Sequence, residues 1–514
     1  MSSGFSRRMK CSFYFCALSV FFFSFSGNAQ PPPIYVTLWF DTEDYILPES
    51  DDAAKRLAEM LTRLGIKATF KVVGEKARVL EQRGRKDVIA ALKKHEIGYH
   101  SNLHSQHPTP AEYLQNTDWD EGVAEFYRRE SQGVKDIQRI FGQAPSCYGQ
   151  PGSSWGAQAY PALKQMGINV YLDEANHVGI DDQPFYYGGM LNIFKLRPNV
   201  CRMELFGENN LANGKAKFLA AYEKLKAKGG GTISIYYHPC EFIHQEFWDA
   251  VNFSRGANPE RKDWKLPRTR TKEETEKAFR DFEEYVKFIR VQSGVRYVTV
   301  ADLGKIYEDG ALKIIYEQPE MIRIARNFQR EITFHQLFDF ILSPADAFHL
   351  LTEVGLAHYD RKYDPIKLKP IQGPTRSFVA PGGVIRAKWV NKDDFFKAVR
   401  VVSDYCKTYN RVPNSIWIGS WNISPADYLA TIAYEVEHSY LSGRDFEHPN
   451  QVPLQVGNFT ADKYVAEDDP KIFNWVIHPE GFHAPKIMEL AKLQAWTLKP
   501  AVMNKSLSSK IQAK

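Results

Sequence analysis

Two rhythms divide the chain. Up to about residue 300, short apolar runs alternate with longer stretches of helical spacing. The runs are I-Y-V-T-L-W-F (34–40), I-K-A-T-F-K-V-V (66–73), E-I-G-Y-H (96–100), S-C-Y-G (146–149), I-N-V-Y-L-D (168–173), T-I-S-I-Y-Y-H (232–238) and Y-V-T-V (297–300). Each predicts a strand. In the first intervening stretch, Ala53, Ala54, Leu57, Met60, Leu61 and Leu64 fall on one helical face, with Ser50 placed to cap the start and Gly65 to close the end. Stretches near 120–141, 214–228 and 272–292 have the same spacing. Repeated strand–helix–strand order predicts an α/β fold with a parallel sheet. Seven repeats suit a closed or nearly closed (β/α)7 barrel. Residues 185–207, rich in aromatics and glycines, interrupt the rhythm and predict an inserted hairpin or loop over one barrel face.

Beyond about residue 310 the strand rhythm stops. F-F-K-A-V-R-V-V-S-D-Y (395–405) and Y-L-A-T-I-A-Y-E-V (428–436) have helical spacing. L-S-P-A-D-A-F-H-L-L (342–351) is echoed by I-S-P-A-D-Y-L-A-T-I (423–432), each placing Ser as cap and Pro in the first turn of a helix. A mainly α-helical accessory domain is expected over 311–505, built as two related units. Residues 506–514 are polar and are expected to form a flexible tail.

The ends and the composition narrow the classes. Arg7, Arg8 and Lys10 precede the apolar run 11–25 and the small residues Gly27 and Ala29. This is the layout of a secretory signal peptide over 1–29, cut near Ala29. It predicts a secreted or periplasmic protein with no transmembrane segment in the mature chain. Loss of those three cations takes the formal net charge from +5 to +2, so the charge offers no argument for nucleic acid. Hydrophobic content of 44% and charged content of 25% are those of an ordinary globular protein. Cys147, Cys201, Cys240 and Cys406 remain after cleavage. None has C-x-x-C spacing, so zinc held by thiolates is not expected.

In a parallel α/β barrel, functional side chains gather at the C-terminal ends of the strands. Here those ends carry Asp41-Thr42-Glu43-Asp44, then His100 with His104 four residues on, then Gln150-Pro151-Gly152, Asp173, and His238-Pro239. Two imidazoles and the Asp44 carboxylate would form a three-ligand site with positions open to water and substrate. That donor set suits a divalent metal, Zn2+ first, with Fe2+ or Co2+ as alternatives. Asp41, beside it, can take a proton from water, His238 can donate one, and Asp173 can orient His238. Gln150 and a backbone amide near Gly152 are placed to meet substrate or an oxyanion. Trp155, Phe185 and Tyr187 are either rim aromatics for sugar stacking or core. Cys240 is taken as structural.

These motifs resemble those of the NodB-type polysaccharide deacetylases over about residues 33–305. W-F-D-T-E-D-Y is similar to the family's first motif, K-A-T-F-K-V-V-G to its second strand, and H-S-N-L-H to its H-S-x-x-H motif, while Asp173 and Y-Y-H-P fall at its last two. The resemblance implies a distorted barrel of the polysaccharide deacetylase type over 30–310 and a secreted, metal-dependent carbohydrate deacetylase. Its substrate would be an N- or O-acetylated polysaccharide or cell-wall glycan. It also implies Asp41 as general base, Asp44 as metal ligand with Glu43 as the alternative, and His238 as general acid. The chain departs from the family at Gly149, where the third motif carries an Arg that fixes the base. Two other readings follow from that departure: a glycan-binding protein without turnover, or a related amide hydrolase with a non-sugar substrate. In the C-terminal half, A-V-R-V-V-S-D-Y-C-K-T-Y-N-R-V-P-N-S-I-W-I-G faintly resembles the helical repeats that bind pseudomurein-like polymers.

Overall fold

The computed structural model describes residues 31–504, apart from Asp181, Lys195, Tyr363, 381–386 and 443–449. The expected signal segment and the tail at 506–514 lie outside the described residues. Five of the seven expected runs form strands, β1 (Ile34–Thr42), β2 (Thr69–Val72), β3 (Glu96–Tyr99), β4 (Val170–Leu172) and β7 (Gly231–Tyr237), and the segment 185–207 adds β5 (Phe185–Tyr187) and β6 (Met190–Ile193). Of the other two, 146–149 makes only bridges at Tyr148, and 297–300 gives just the end of β8 (Val295–Tyr297), because Thr299 caps a helix that starts at Val300. All nine residues of β1 are buried, as expected of a parallel strand covered on both faces. β1 pairs in parallel with β2, β7 and β8, and β2 pairs with β3. Tyr148 bridges Tyr99 on one side and Tyr171 on the other, and β4 continues to β6. From β7 through β1, β2, β3, Tyr148 and β4 to β6 the neighbours are therefore parallel, the mixed α/β class that the alternation predicts. Among the described residues no pairing joins the β7 end of this run to its β5 end.

Two local expectations change. The hairpin β5–β6 is not a cover over the sheet but part of it, because β6 is buried throughout and pairs with β4. The strand Lys499–Pro500 then adds to β5. The first helix begins at Glu49, and the Ser50 hydroxyl donates to Asp44 instead of capping the helix. Gly65 does close it, at φ +66°. The other long helices, Trp119–Phe141, Asn210–Ala227 and Lys272–Arg290, lie where their spacing placed them.

From 315 to 453 one order of elements occurs twice: strand, helix, hairpin, helix, strand. The first set is Ile315–Tyr316, Gln318–Phe328, the hairpin His335–Leu337/Phe340–Leu342, Pro344–Tyr359 and Ile366–Lys367. The second is Trp389–Asn391, Lys392–Tyr409, the hairpin Ile416–Ile418/Trp421–Ile423, Pro425–Ser442 and Gln451–Pro453. In each set the two end strands pair with each other. The first helix of each set packs on the second helix of the other. Both S-P-A-D segments start a helix: Ser343 accepts from the Asp346 amide and Ser424 from the Asp427 amide.

The apolar interior has two main clusters. One is filled by the sheet and its helices together with Ala461, Ile487, Leu490 and Leu498 from the far end of the chain. The other lies within 311–452, with Trp496 reaching in. Contacts bind the chain from Pro32 onward into one unit. Cys147, Cys201, Cys240 and Cys406 are buried and unpaired. Trp155, Phe185 and Tyr187 are fully buried and belong to the core, not to a rim. Among the described residues no helix is long and apolar enough to cross a membrane.

Candidate metal centre and its surroundings

Side chains alternate along a strand, so Trp39, Asp41 and Glu43 share one side of β1 and its continuation. All three line a cavity of about 590 Å3, with His100, His104, Gln150, Gly152, Asp173 and His238. Asp44 falls on the other side. One of its oxygens accepts from the amides of Ile46 and Leu47 (2.8 and 3.2 Å), and the other meets Ser50 and His244 Nε2 (3.1 Å). The residue that joins the two histidines is therefore Glu43. Its Oε2 lies 3.4 Å from His100 Nε2 and 2.9 Å from His104 Nε2, and the donor atoms of the three residues all lie within 4.8 Å of one another.

Each imidazole is turned by a bond at its far nitrogen. His100 Nδ1 donates to the Gly149 carbonyl at 3.0 Å, and His104 Nδ1 sits 2.6 Å from Ser105 Oγ. This leaves both Nε2 atoms facing Glu43, the outer-shell pattern that orients metal-binding histidines. His104 Nε2 is buried and, although close to Glu43, is not aligned with it as a hydrogen bond. Two imidazole nitrogens and a carboxylate oxygen converging on one point fit a divalent cation of the zinc type. Trp248 Nε1 holds the second Glu43 oxygen at 2.9 Å. Burial pushes the Glu43 carboxyl up, but His104 and His238 outweigh it and hold it well below the usual range.

Asp41 and His238 stand on either side of this point. His238 Nε2 is 3.7 Å from Asp41 Oδ2 and 3.8 Å from Glu43 Oε2. Its Nδ1 is bonded to Glu241, which Arg202 holds in turn at 2.5 Å. Burial opposes a charge on His238, yet Glu43, Glu241 and Asp41 together push its pKa up to about 9. Asp173, expected behind His238, bonds elsewhere, to Lys71 Nζ at 2.8 Å. Gln150 donates to the Gly152 carbonyl at 3.3 Å, and its own carbonyl oxygen is buried with no partner.

Several residues here lie beyond the sequence reading. Lys71 and Glu241 left signals: a charge inside a strand buried on both faces, and a carboxylate three residues after His238. Trp475 and Asp249 left none. Trp475 closes one wall of the cavity, its ring 5.2 Å from that of His104 and its Nε1 donating to Asp249 at 2.9 Å. It packs so closely on Gly152 that a Cβ there would lie 2.1 Å from the indole.

The family model described as polysaccharide deacetylase matches residues 28–171. No curated protein matches the chain. Similar solved structures include one from Mycobacterium smegmatis assigned as a polysaccharide deacetylase, at 14% identity over 54% of this chain and 93% of that one, with a TM-score of 0.35. A family 4 carbohydrate esterase from Streptomyces lividans in complex with acetate is 14% identical over 52% of this chain and 92% of that one, TM-score 0.27. The Xyl-CE4 domain of a multidomain xylanase from the hindgut metagenome of Trinervitermes trinervoides is 11% identical over 53% and 90%, TM-score 0.29. Residues 28–171, which carry β1 to β3, Asp41, Glu43 and both histidines, thus match the polysaccharide deacetylase family that their motifs resemble.

Proposed function

We propose that the protein is an exported metal-dependent deacetylase that removes acetyl groups from an N- or O-acetylated polysaccharide or cell-wall glycan. The observation that carries this reading is the convergence of Glu43, His100 and His104 in one cavity with Asp41 and His238. Those three residues would hold the cation, with Glu43 in the place first expected of Asp44. Bound there, a divalent ion supplies Lewis acidity to a water and to the acetyl carbonyl.

The chain's own residues do the rest. Asp41 accepts the water's proton at Oδ2. His238, protonated at both nitrogens, keeps Nδ1–H on Glu241 and delivers the Nε2 proton to the leaving nitrogen or oxygen. Asp173 acts on Lys71 and not on His238. The backbone at Gly152, with Gln150 behind it, faces the developing oxyanion. Trp475 and Trp39 give the cavity apolar walls for a sugar ring or an acetyl methyl.

The test is purified protein loaded with Zn2+, Co2+ or Fe2+ and given N-acetylated chito-oligosaccharide, acetylated xylan or peptidoglycan fragments. Metal-dependent acetate release that is lost in His100→Ala is the expected result. Protein that takes up no metal under any loading would sink the reading.

A further inference from the structure

Lys71 lies in the middle of β2 and is wholly buried. A lone ammonium there would be costly, and this one is paired with two carboxylates. Its Nζ donates to Asp173 Oδ2 and to the Leu172 carbonyl, each at 2.8 Å, and forms an ion pair with Asp41 Oδ1 at 2.9 Å that is not aligned as a hydrogen bond. It also sits 4.1 Å from the centre of the Trp39 ring. β1–β2 pairing sets Asp41 opposite Lys71, and β2–β3 pairing sets Lys71 opposite Gly98.

Two glycines make the room. A Cβ on Gly98 would lie 2.7 Å from Cys147 Sγ and 2.9 Å from Lys71 Cγ, and one on Gly149 would lie 2.0 Å from Nζ and 2.4 Å from Asp173 Oδ2. Neither glycine has a left-handed φ, so the backbone does not require glycine at either position. What is required is the space: Gly98 flanks the stem of Lys71 and Gly149 its head.

We propose that Lys71 is the positioning residue for Asp41, and that Gly98 and Gly149 are glycine in order to house it. The ammonium is ion-paired with Asp41 Oδ1, and Oδ2 is turned toward the cavity and His238. It also separates Asp41 from Asp173, two buried carboxylates that would otherwise repel. Burial alone would lower the lysine's pKa, but Asp173 and Asp41 reverse the effect and raise it, so the cation is permanent at neutral pH. The positive charge that Gly149 cannot supply from its own strand end thus arrives from the neighbouring strand. This inference rests on the reading of Asp41 as the proton acceptor.

The test compares Lys71→Met, Lys71→Arg, Gly149→Ala and the double variant Lys71→Ala/Gly149→Ala with the zinc-loaded wild type on N-acetylated chito-oligosaccharide. Lys71→Met should keep the wild-type zinc content, because no ligand is touched, and lose kcat roughly 100-fold with KM little changed. Lys71→Arg should recover part of that loss. Gly149→Ala, which displaces the ammonium with the lysine still present, should reproduce the fall in kcat. It also carries the comparison if Lys71→Met does not fold. In thermal unfolding, Gly149→Ala should lower Tm less in a Lys71→Ala background than in wild type. Unchanged kcat in Lys71→Met or Gly149→Ala would overturn the positioning role, and additive Tm losses would overturn the housing of Lys71 by Gly149. A wild type that binds zinc but releases no acetate would remove the deacetylase reading, while the Tm cycle would still judge the lysine and its glycine.

Discussion

At the ends of β1, β2 and β3, the buried groups Asp41, Glu43, Lys71, His100 and His104 all face one another across a few ångströms. Within 315–453, buried ionisable groups stand apart or serve helix starts. Asp346 caps its own helix and meets Lys499 at 2.7 Å. Glu435 is 2% exposed, and neither of its oxygens has a partner. The same apolar surroundings thus serve two ends. Around the sheet they strengthen a mutually balanced set of charges, the set proposed to hold a cation and move protons. Around the paired helices they penalise the unpartnered Glu435, Asp346 is balanced by Lys499, and the reciprocal packing of helices does most of the stabilising.

Substitutions can break this contrast. The largest effect is expected at the proposed metal ligands: His104→Ala and Glu43→Ala should abolish bound zinc by elemental analysis and take acetate release to background. Asp44→Asn should keep the zinc and lose stability instead, by about 1–3 kcal/mol in denaturant unfolding, as a buried acceptor of several bonds is weakened. The opposite pattern would return the ligand to Asp44. Next, Phe348→Ala in the paired helices should cost about 3–5 kcal/mol with zinc content unchanged, because the ring is fully buried.

A subtler difference is in pH. Burial pushes the Glu435 carboxyl from 4.5 up to about 8. A carboxyl raised in the fold contributes stability that is intact below pH 4.5 and is lost as pH rises through about 8. Glu435→Gln should therefore match wild type near pH 4 and exceed it at pH 9, by on the order of 2–3 kcal/mol in urea unfolding. An identical pH profile would mean that Glu435 is not buried as an acid. The smallest effect is at the two related helix starts: Ser343→Ala and Ser424→Ala should each cost about 1 kcal/mol.

How much of this was legible follows from the range of each signal. The parallel strands and the H-S-N-L-H pair are local patterns, and both were readable. The choice between Asp44 and Glu43 needed the strand's two-residue alternation carried past its end, and the sequence alone left it open. Lys71 was visible as a charge among apolar neighbours, but its meaning depended on Gly149, whose place beside it only the strand order creates. The three-residue hairpins near 335–342 and 416–423 are too short to show a period of two. Trp475 could not be found from the sequence, since nothing local to it marks a wall of a cavity built hundreds of residues earlier.

The indole against Gly152 also sets an order of assembly. A ribosome that has finished β8 has already made every side chain proposed to hold the ion or shuttle protons, yet the cleft still lacks a side. It closes only when residue 475 has emerged, and the residues that follow, Ile487, Leu490 and Leu498, also fill the core beneath the sheet, so a chain ended before them would lack both the wall and part of the packing that supports the reaction centre.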